Sequence, residues 1–257
     1  KIAGADFAGI VEETGKAVSN LKVGDKVFGE TLDGGAFAEY VRAPSRVCAH
    51  MPQAADFHTM ACVPIAGLTA LQAIVTHGRL KEGESVLVNG SSGGVGHFTV
   101  QIAKAYGANV TGICSSKNVD FVRSLGADNV IAYDKVNIHQ HETRYDLVVD
   151  THGNLSHHDY KRMGKRGVMV GFTTMGNMMS VLLKKPFSKY PLSQFTASAN
   201  TKDLETLAAL IQQKRIRVHI EETYPYTGIP AAIHHIEAMH TRGKVAMVWG
   251  ESVSGNR

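Results

Sequence analysis

The stretch Asn89-Gly90-Ser91-Ser92-Gly93-Gly94-Val95-Gly96 follows the apolar run 85–88 and opens a helical period. Side chains there are small or absent, so the chemistry on offer is that of peptide N–H groups that an anion can approach closely. Ser91-Ser92-Gly93-Gly94-Val95-Gly96 fits G-x-G-x-x-G with Ser91 in place of the first glycine. In such a loop the second glycine, Gly93, lets the backbone reach a pyrophosphate, and the third, Gly96, lets the helix pack close to the strand. The helix N-terminus adds unsatisfied N–H groups and partial positive charge. A glycine-rich turn without a ligand is the alternative for the loop taken alone. Its context, with a strand before, a helix after and a second strand at the right distance, favours a dinucleotide.

A second cluster bears on which dinucleotide. Sites for NAD place a carboxylate about 20 residues beyond the glycines to accept ribose hydroxyls. Here the strand 109–114 runs into Ser115, Ser116 and Lys117, with no carboxylate at that position. Two hydroxyls and an ammonium suit a 2′-phosphate, through charge-assisted bonds worth about 1.5–3 kcal/mol each. The expected cofactor is therefore NADPH. The same serines also suit a helix N-cap, and capping and phosphate binding are compatible.

The elements that must position these groups follow from periodicity. From about residue 80, short apolar runs alternate with helical patterns: 85–89 then 95–106, 109–114 then 118–125, 145–150, and 167–172. That alternation predicts βαβ units in a parallel, doubly wound sheet, and the continuously apolar strands indicate helices on both faces. The N-terminal third differs: runs at 7–13, 27–30 and 36–41, separated by glycine-bearing turns, predict antiparallel β. The tail predicts a helix at 204–213, a strand at 217–224, a helix at 229–240 and a strand at 244–250.

With 257 residues, 44% of them hydrophobic, the chain is long enough for one large domain or two ordinary ones. A net charge of +4 spread without any block of like charge argues against nucleic acid as partner. No apolar run is long enough to span a bilayer. Three scattered cysteines fit a reducing, cytoplasmic compartment rather than a disulfide framework, although the chain opens at Lys1, so a leader lies outside what these residues show.

Stretches distributed along nearly the whole chain resemble one family. GADFAGIVEETGKAVSNLKVGDKVFG, GGAFAEYV, AGLTALQA, NGSSGGVGHFTVQIAKAYGA, VRSLGADNVI, YDLVVDTHG, RGVMVGF and RGKVAMV are similar to the zinc-less, quinone-oxidoreductase-like branch of the medium-chain dehydrogenase/reductase superfamily. The resemblance implies an α/β fold in which a Rossmann sheet (68–199) joins a partial GroES-like β domain (1–67, to which 200–257 returns). It also implies nicotinamide bound in the cleft between them, a first GroES-like segment absent from this sequence, and a homodimer formed through a Rossmann edge strand near 194–198.

Zinc-dependent relatives carry Gly-His-Glu where this chain has Gly4-Ala5-Asp6, and insert a four-cysteine lobe where it has only FGETLDGG. Neither a four-ligand structural site nor a three-ligand catalytic one can be assembled from those residues, so no metal is expected. His139-x-His141-Glu142 and His157-His158-Asp159 have chelating types, but in polar stretches they read as solvated loop residues. Without a metal, hydride transfer suits a quinone or an α,β-unsaturated carbonyl, whose enolate or quinolate a few donors can stabilise; a simple ketone wants a Lewis acid. No tyrosine fits Y-x-x-x-K, which disfavours a short-chain dehydrogenase. An enoyl or alkenal reductase of the same superfamily, and a non-catalytic NADPH-binding sensor or interaction module, are the alternative readings.

By resemblance, Thr69 would face the nicotinamide carboxamide, Lys117 and Tyr133 would flank the adenosine phosphate, and Gly153 and Phe172 would line the ribose and nicotinamide ends of two strands. Lys244 would reach a phosphate. The plainer alternatives are a helix N-cap for Thr69, a half-buried loop aromatic for Tyr133, a core residue for Phe172 and a solvated charge for Lys244. The basic pairs Lys161-Arg162 and Lys165-Arg166 read as helix and turn surface, and 175–183 as substrate wall, core or subunit contact. No general acid is identifiable.

Overall fold

A computed structural model describes residues 2–31, 33–171, 189–238 and 241–249. The chain divides into two compact units, one built from residues 1–68 and 197–257, the other from 69–196. In the first, β1 (Asp6–Ile10) pairs antiparallel with β2 (Lys26–Glu30), and β2 pairs antiparallel with β3 (Cys48–His50). Val27 and Phe28 of β2 lie in the core of that unit. The strand expected at 36–41 does not form. A ladder needs a neighbour along its length, and this run has one only at its start, where Ala36 and Phe37 donate to the carbonyls of Gly4 and Ala3. It then bends, leaving Tyr40 76% exposed. The third strand is instead β3, reached through the 3-10 turn Ser45–Val47. Helix α1 (Phe57–Ala61) is capped by Asp56, whose carboxylate accepts from Thr59 N–H, and α2 (Pro64–Leu71) runs on into a π-helical turn, Gln72–His77.

The second unit carries the expected doubly wound sheet. Strands β4 (Ser85–Asn89), β5 (Asn109–Cys114), β6 (Asn129–Ala132), β7 (Tyr145–Asp150), β8 (Gly164–Met169) and β9 (Leu192–Gln194) are all parallel, in the order β6-β5-β4-β7-β8-β9. Val86, Leu87, Val88, Leu147, Val148 and Val149 are fully buried, which is why their segments are apolar without alternation. Helices α3 (Gly96–Ala105), α4 (Val119–Ser124) and α5 (His157–Met163) connect them. Buried polar residues on α3 bond back one turn: His97 Nδ1 contacts Gly93 O, Thr99 Oγ1 donates to Val95 O, and Gln101 Nε2 to His97 O.

The start of β8 differs from the sequence reading. The strand expected at 167–172 starts at Gly164, directly after α5, so Lys165 and Arg166 lie on β8: Lys165 stays exposed and pairs with Asp146, while the Arg166 guanidinium binds the Glu84 carboxylate and the carbonyl of Gly78. Arg162 is likewise engaged, with Ile138 O and Asp159. The tail returns to the first unit as α6 (Thr201–Gln212), β10 (Ile220–Pro225), α7 (Ile229–Glu237) and β11 (Lys244–Val248), with β10 and β11 parallel. Leu207 of α6 packs on Gly67 of α2, where an added Cβ would sit 3.0 Å from Leu207 Cδ1.

Candidate functional site

The chain starts the parallel sheet at β4, winds outward through β5 and β6, and reverses at β7, so β4 and β7 flank the topological switch point. In such sheets ligands bind beyond the carboxyl ends of the strands at that point. The register Asn89↔Ile113 and Asn89↔Asp150 puts the ends of β4, β5 and β7 on one edge.

The glycine loop leaves β4 there. Its tight turn is made by Gly90, at φ +80°, where an added Cβ would stand 2.8 Å from Thr151 Oγ1. The turn glycine therefore precedes the position assigned from the sequence by one residue. Ser91 plays another part. Fully buried, it donates from both N–H and Oγ to Ile113 O, at 3.0 and 2.9 Å, and pegs the loop to β5. Gly96 permits the close packing expected of it, since its Cβ would fall 2.0 Å from Gly90 O. At Gly93 a Cβ would meet nothing nearer than Gly90 O at 3.5 Å, so open space faces that backbone. Among the described residues, the amides of Ser92, Gly94, Val95 and Gly96 donate to no backbone carbonyl. These four amide donors, beside open space at Gly93 and at the start of a ten-residue helix, fit a pyrophosphate. Ser92 Oγ accepts from Asn118 Nδ2 at 3.1 Å, joining the loop to the segment after β5.

That segment holds the adenosine-end candidates. Ser115 is half-buried, and Ser116 and Lys117 are exposed on a short 3-10 turn. Tyr133, 55% exposed, follows β6, and its N–H donates to Cys114 O, so the ends of β5 and β6 sit together. One neighbour corrects the sequence reading. A carboxylate is present: Asp134 accepts from Ser116 N–H at 2.7 Å and from Ser116 Oγ at 2.5 Å. The hydroxyl of Ser116 holds the Asp134 carboxyl below its ordinary range, so it is anionic at neutral pH.

Beyond β7, the fully buried Asp150 organises the third side. Its carboxylate accepts from the N–H groups of His152, Gly153 and Leu155, from Asn89 Nδ2 and from the hydroxyl of Tyr160. Asn89 also donates to Asn154 Oδ1. This network holds Gly153, just beyond β7, at φ +77°, a conformation that favours glycine. Sequence reasoning missed Asp134, Asn118, Asp150 and Asn89; only the D-x-x-G spacing of Asp150 and Gly153 hinted at any of them.

The remaining candidates stand elsewhere. Thr69 lies inside α2, half-buried, so it is not an N-cap. Lys244 belongs to β11 of the first unit, where its Nζ is 3.7 Å from Asp6 Oδ2. Phe172 and the run 175–183 lie outside the described residues. Around Asp6 the first unit has its own titratable cluster. Glu30, the cross-strand partner of Asp6, is 2% exposed, and burial followed by the Asp6 charge pushes its carboxyl up to about 7. Burial also raises Asp6, against the pull of Lys244. Asp6, Cys62 and Lys244 line an apolar groove of ≈ 1580 Å³ with Phe7, Phe57 and Trp249. The two histidine motifs meet each other rather than solvent alone: His139 Nδ1 lies 3.0 Å from Asp159 Oδ2, and His141 bonds the Tyr145 hydroxyl. Among the described residues, no group of three or more His, Cys, Asp or Glu could hold a metal ion.

A doubly wound parallel sheet with open loop amides at its switch point defines a dinucleotide-binding protein. Two family models match: an alcohol dehydrogenase GroES-like domain over residues 1–53 and a zinc-binding dehydrogenase over residues 125–247. A chloroplast envelope quinone oxidoreductase homolog of Arabidopsis thaliana is 32% identical across 95% of this chain and 78% of its own length. A trans-enoyl reductase of Aspergillus terreus is 35% identical across 94% and 75%. The solved quinone oxidoreductase of Coxiella burnetii superposes with a TM-score of 0.86 at 30% identity, covering 95% of this chain and 78% of that one. The chain belongs to the medium-chain dehydrogenase/reductase superfamily, in its quinone-oxidoreductase-like branch of NAD(P)H-dependent oxidoreductases. Among the described residues no helix is long and apolar enough to cross a membrane.

Proposed function

We propose that the protein is an NADPH-dependent reductase of quinones or α,β-unsaturated carbonyls that works without zinc. The observation that carries this reading is the set of loop amides at Ser92, Gly94, Val95 and Gly96 that donate to no backbone carbonyl among the described residues, together with Lys117 exposed on the turn after β5. The amides would hold the pyrophosphate, Ser115, Ser116 and Lys117 would receive the 2′-phosphate, and Tyr133 would flank the adenosine. Gly153 would leave room for the ribose, and Thr69 and Phe172 are assigned to the nicotinamide. Lys244 is kept as a phosphate contact. The bound nicotinamide supplies the hydride; the protein's part is to fix its position and exclude water. Quinone and enone substrates are both supported, because the relatives include proteins named for each.

Two further features complete the reading. Cys48, Cys62 and Cys114 are buried free thiols, as in a reducing cytoplasm. Among the described residues β9 is the outer strand of its sheet, and we assign a homodimer seam to it and to 194–198 beyond.

The deciding experiment is Lys117→Ala with both coenzymes. NADPH affinity is expected to fall tenfold or more while NADH affinity barely changes; equal losses would count against the assignment. NADPH oxidation assayed with quinones and enones in turn separates the enzyme from a sensor that binds tightly without turnover.

A further inference from the structure

The carboxylate of Asp134 stands at the donors a 2′-phosphate would use. It takes both the N–H and the Oγ of Ser116, 18 residues earlier in the chain. The contact is set by the sheet rather than by chance on a loop. β6 pairs with β5 through Cys114↔Ala132, and Tyr133 N–H continues the ladder onto Cys114 O, which delivers the next residue, Asp134, to the turn after β5. Lys117 adjoins Ser116 and Lys135 adjoins Asp134, so this exposed corner holds both signs of charge.

The two coenzymes differ here by one group. A ribose 2′-hydroxyl donates well to a carboxylate, the arrangement of NAD sites, whereas a 2′-phosphate is repelled by it and attracted by ammonium. Resting on the coenzyme reading above, we propose that Asp134 is a specificity-determining residue: its carboxylate favours the ribose hydroxyl of NADH and opposes the 2′-phosphate that Lys117 attracts. The carboxylate of ordinary NAD sites comes from the end of the second strand, and in this chain the third strand supplies it. The preference for NADPH is therefore a difference between two nearby charges, and removing the acid sharpens it.

Calorimetric titration of the full chain with NADPH, NADH, 2′,5′-ADP and 5′-ADP tests this in the wild type, Asp134→Asn and Asp134→Ser. Asparagine keeps an oxygen acceptor for Ser116, and serine provides a second, smaller neutral replacement. In both variants the NADPH-to-NADH affinity ratio is expected to rise on the order of tenfold. 2′,5′-ADP should gain over 5′-ADP in parallel, and the gain should shrink at high salt, as a charge effect must. A ratio that is unchanged or lower in both variants overturns the assignment. If at the same time Lys117→Ala still lowers the ratio, the coenzyme reading stands and only the role of Asp134 falls. Failure of the wild type to bind either coenzyme overturns the underlying reading and this inference with it.

Discussion

Gly96 shows how little room a single position leaves. Its Cβ would lie 2.0 Å from Gly90 O and 2.8 Å from Ser91 Cα, both backbone, so alanine forces the loop away from the helix. Gly96→Ala is expected to cost about 1–3 kcal/mol in urea unfolding. It should weaken NADPH and NADH equally by calorimetry, because the shared pyrophosphate site moves; a variant that binds both coenzymes like the wild type would refute the loop assignment. Glu30 offers a test through pH. Its folded-state carboxyl titrates at about 7, against 4.5 when free, so the folded protein holds the proton more tightly. As pH rises from 4.5 to 7 the unfolded chain releases the proton first, so stability falls across that window and levels off above it. Glu30→Gln should flatten this dependence and exceed the wild type at pH 8 by up to about 3 kcal/mol. Urea midpoints between pH 4.5 and 8 would show it.

Elements were legible where one local cause sufficed. β4 and β7 are buried on both faces, and the apolar runs 86–88 and 147–149 announce it. Register between distant segments leaves no such local trace. Asp134 reaches Ser116 because β6 lies beside β5, and 36–41 alternates like a strand yet has a neighbour to pair with only at its start. Ser91 matched a motif position, but the positive φ that defines the turn falls on Gly90, which spacing alone does not reveal. The end of α6 makes this kind of local geometry testable. Lys214 has φ 57° just past the cap at Gln213, and its N–H and that of Arg215 close the helix onto Ile211 O and Leu210 O. Glycine adopts that conformation without the Cβ penalty. Lys214→Gly is expected to stabilise the protein by up to about 1 kcal/mol, seen as a higher thermal midpoint with unchanged coenzyme affinity.

At the scale of the molecule, the proposed coenzyme contacts at the glycine loop, the Ser115–Lys117 turn, Tyr133–Asp134 and Gly153 all fall in the unit of residues 69–196. A ligand that binds only the folded state stabilises it by RT ln(1 + [L]/Kd), about 2.7 kcal/mol at a hundredfold excess over Kd. For a unit of this size that corresponds to a rise of roughly 5–10 °C in the thermal midpoint. NADPH should produce this shift, and NADH at equal concentration a smaller one. Where the protection appears matters more than its size. Hydrogen exchange with NADPH bound should slow at 90–96, 115–118, 133–134 and 151–153, because those backbone groups meet or support the ligand. A shift accompanied by slowing only in β1 and β2 would place the ligand on the Asp6–Glu30 cluster instead, and the amides of the glycine loop would then have to serve something other than a dinucleotide.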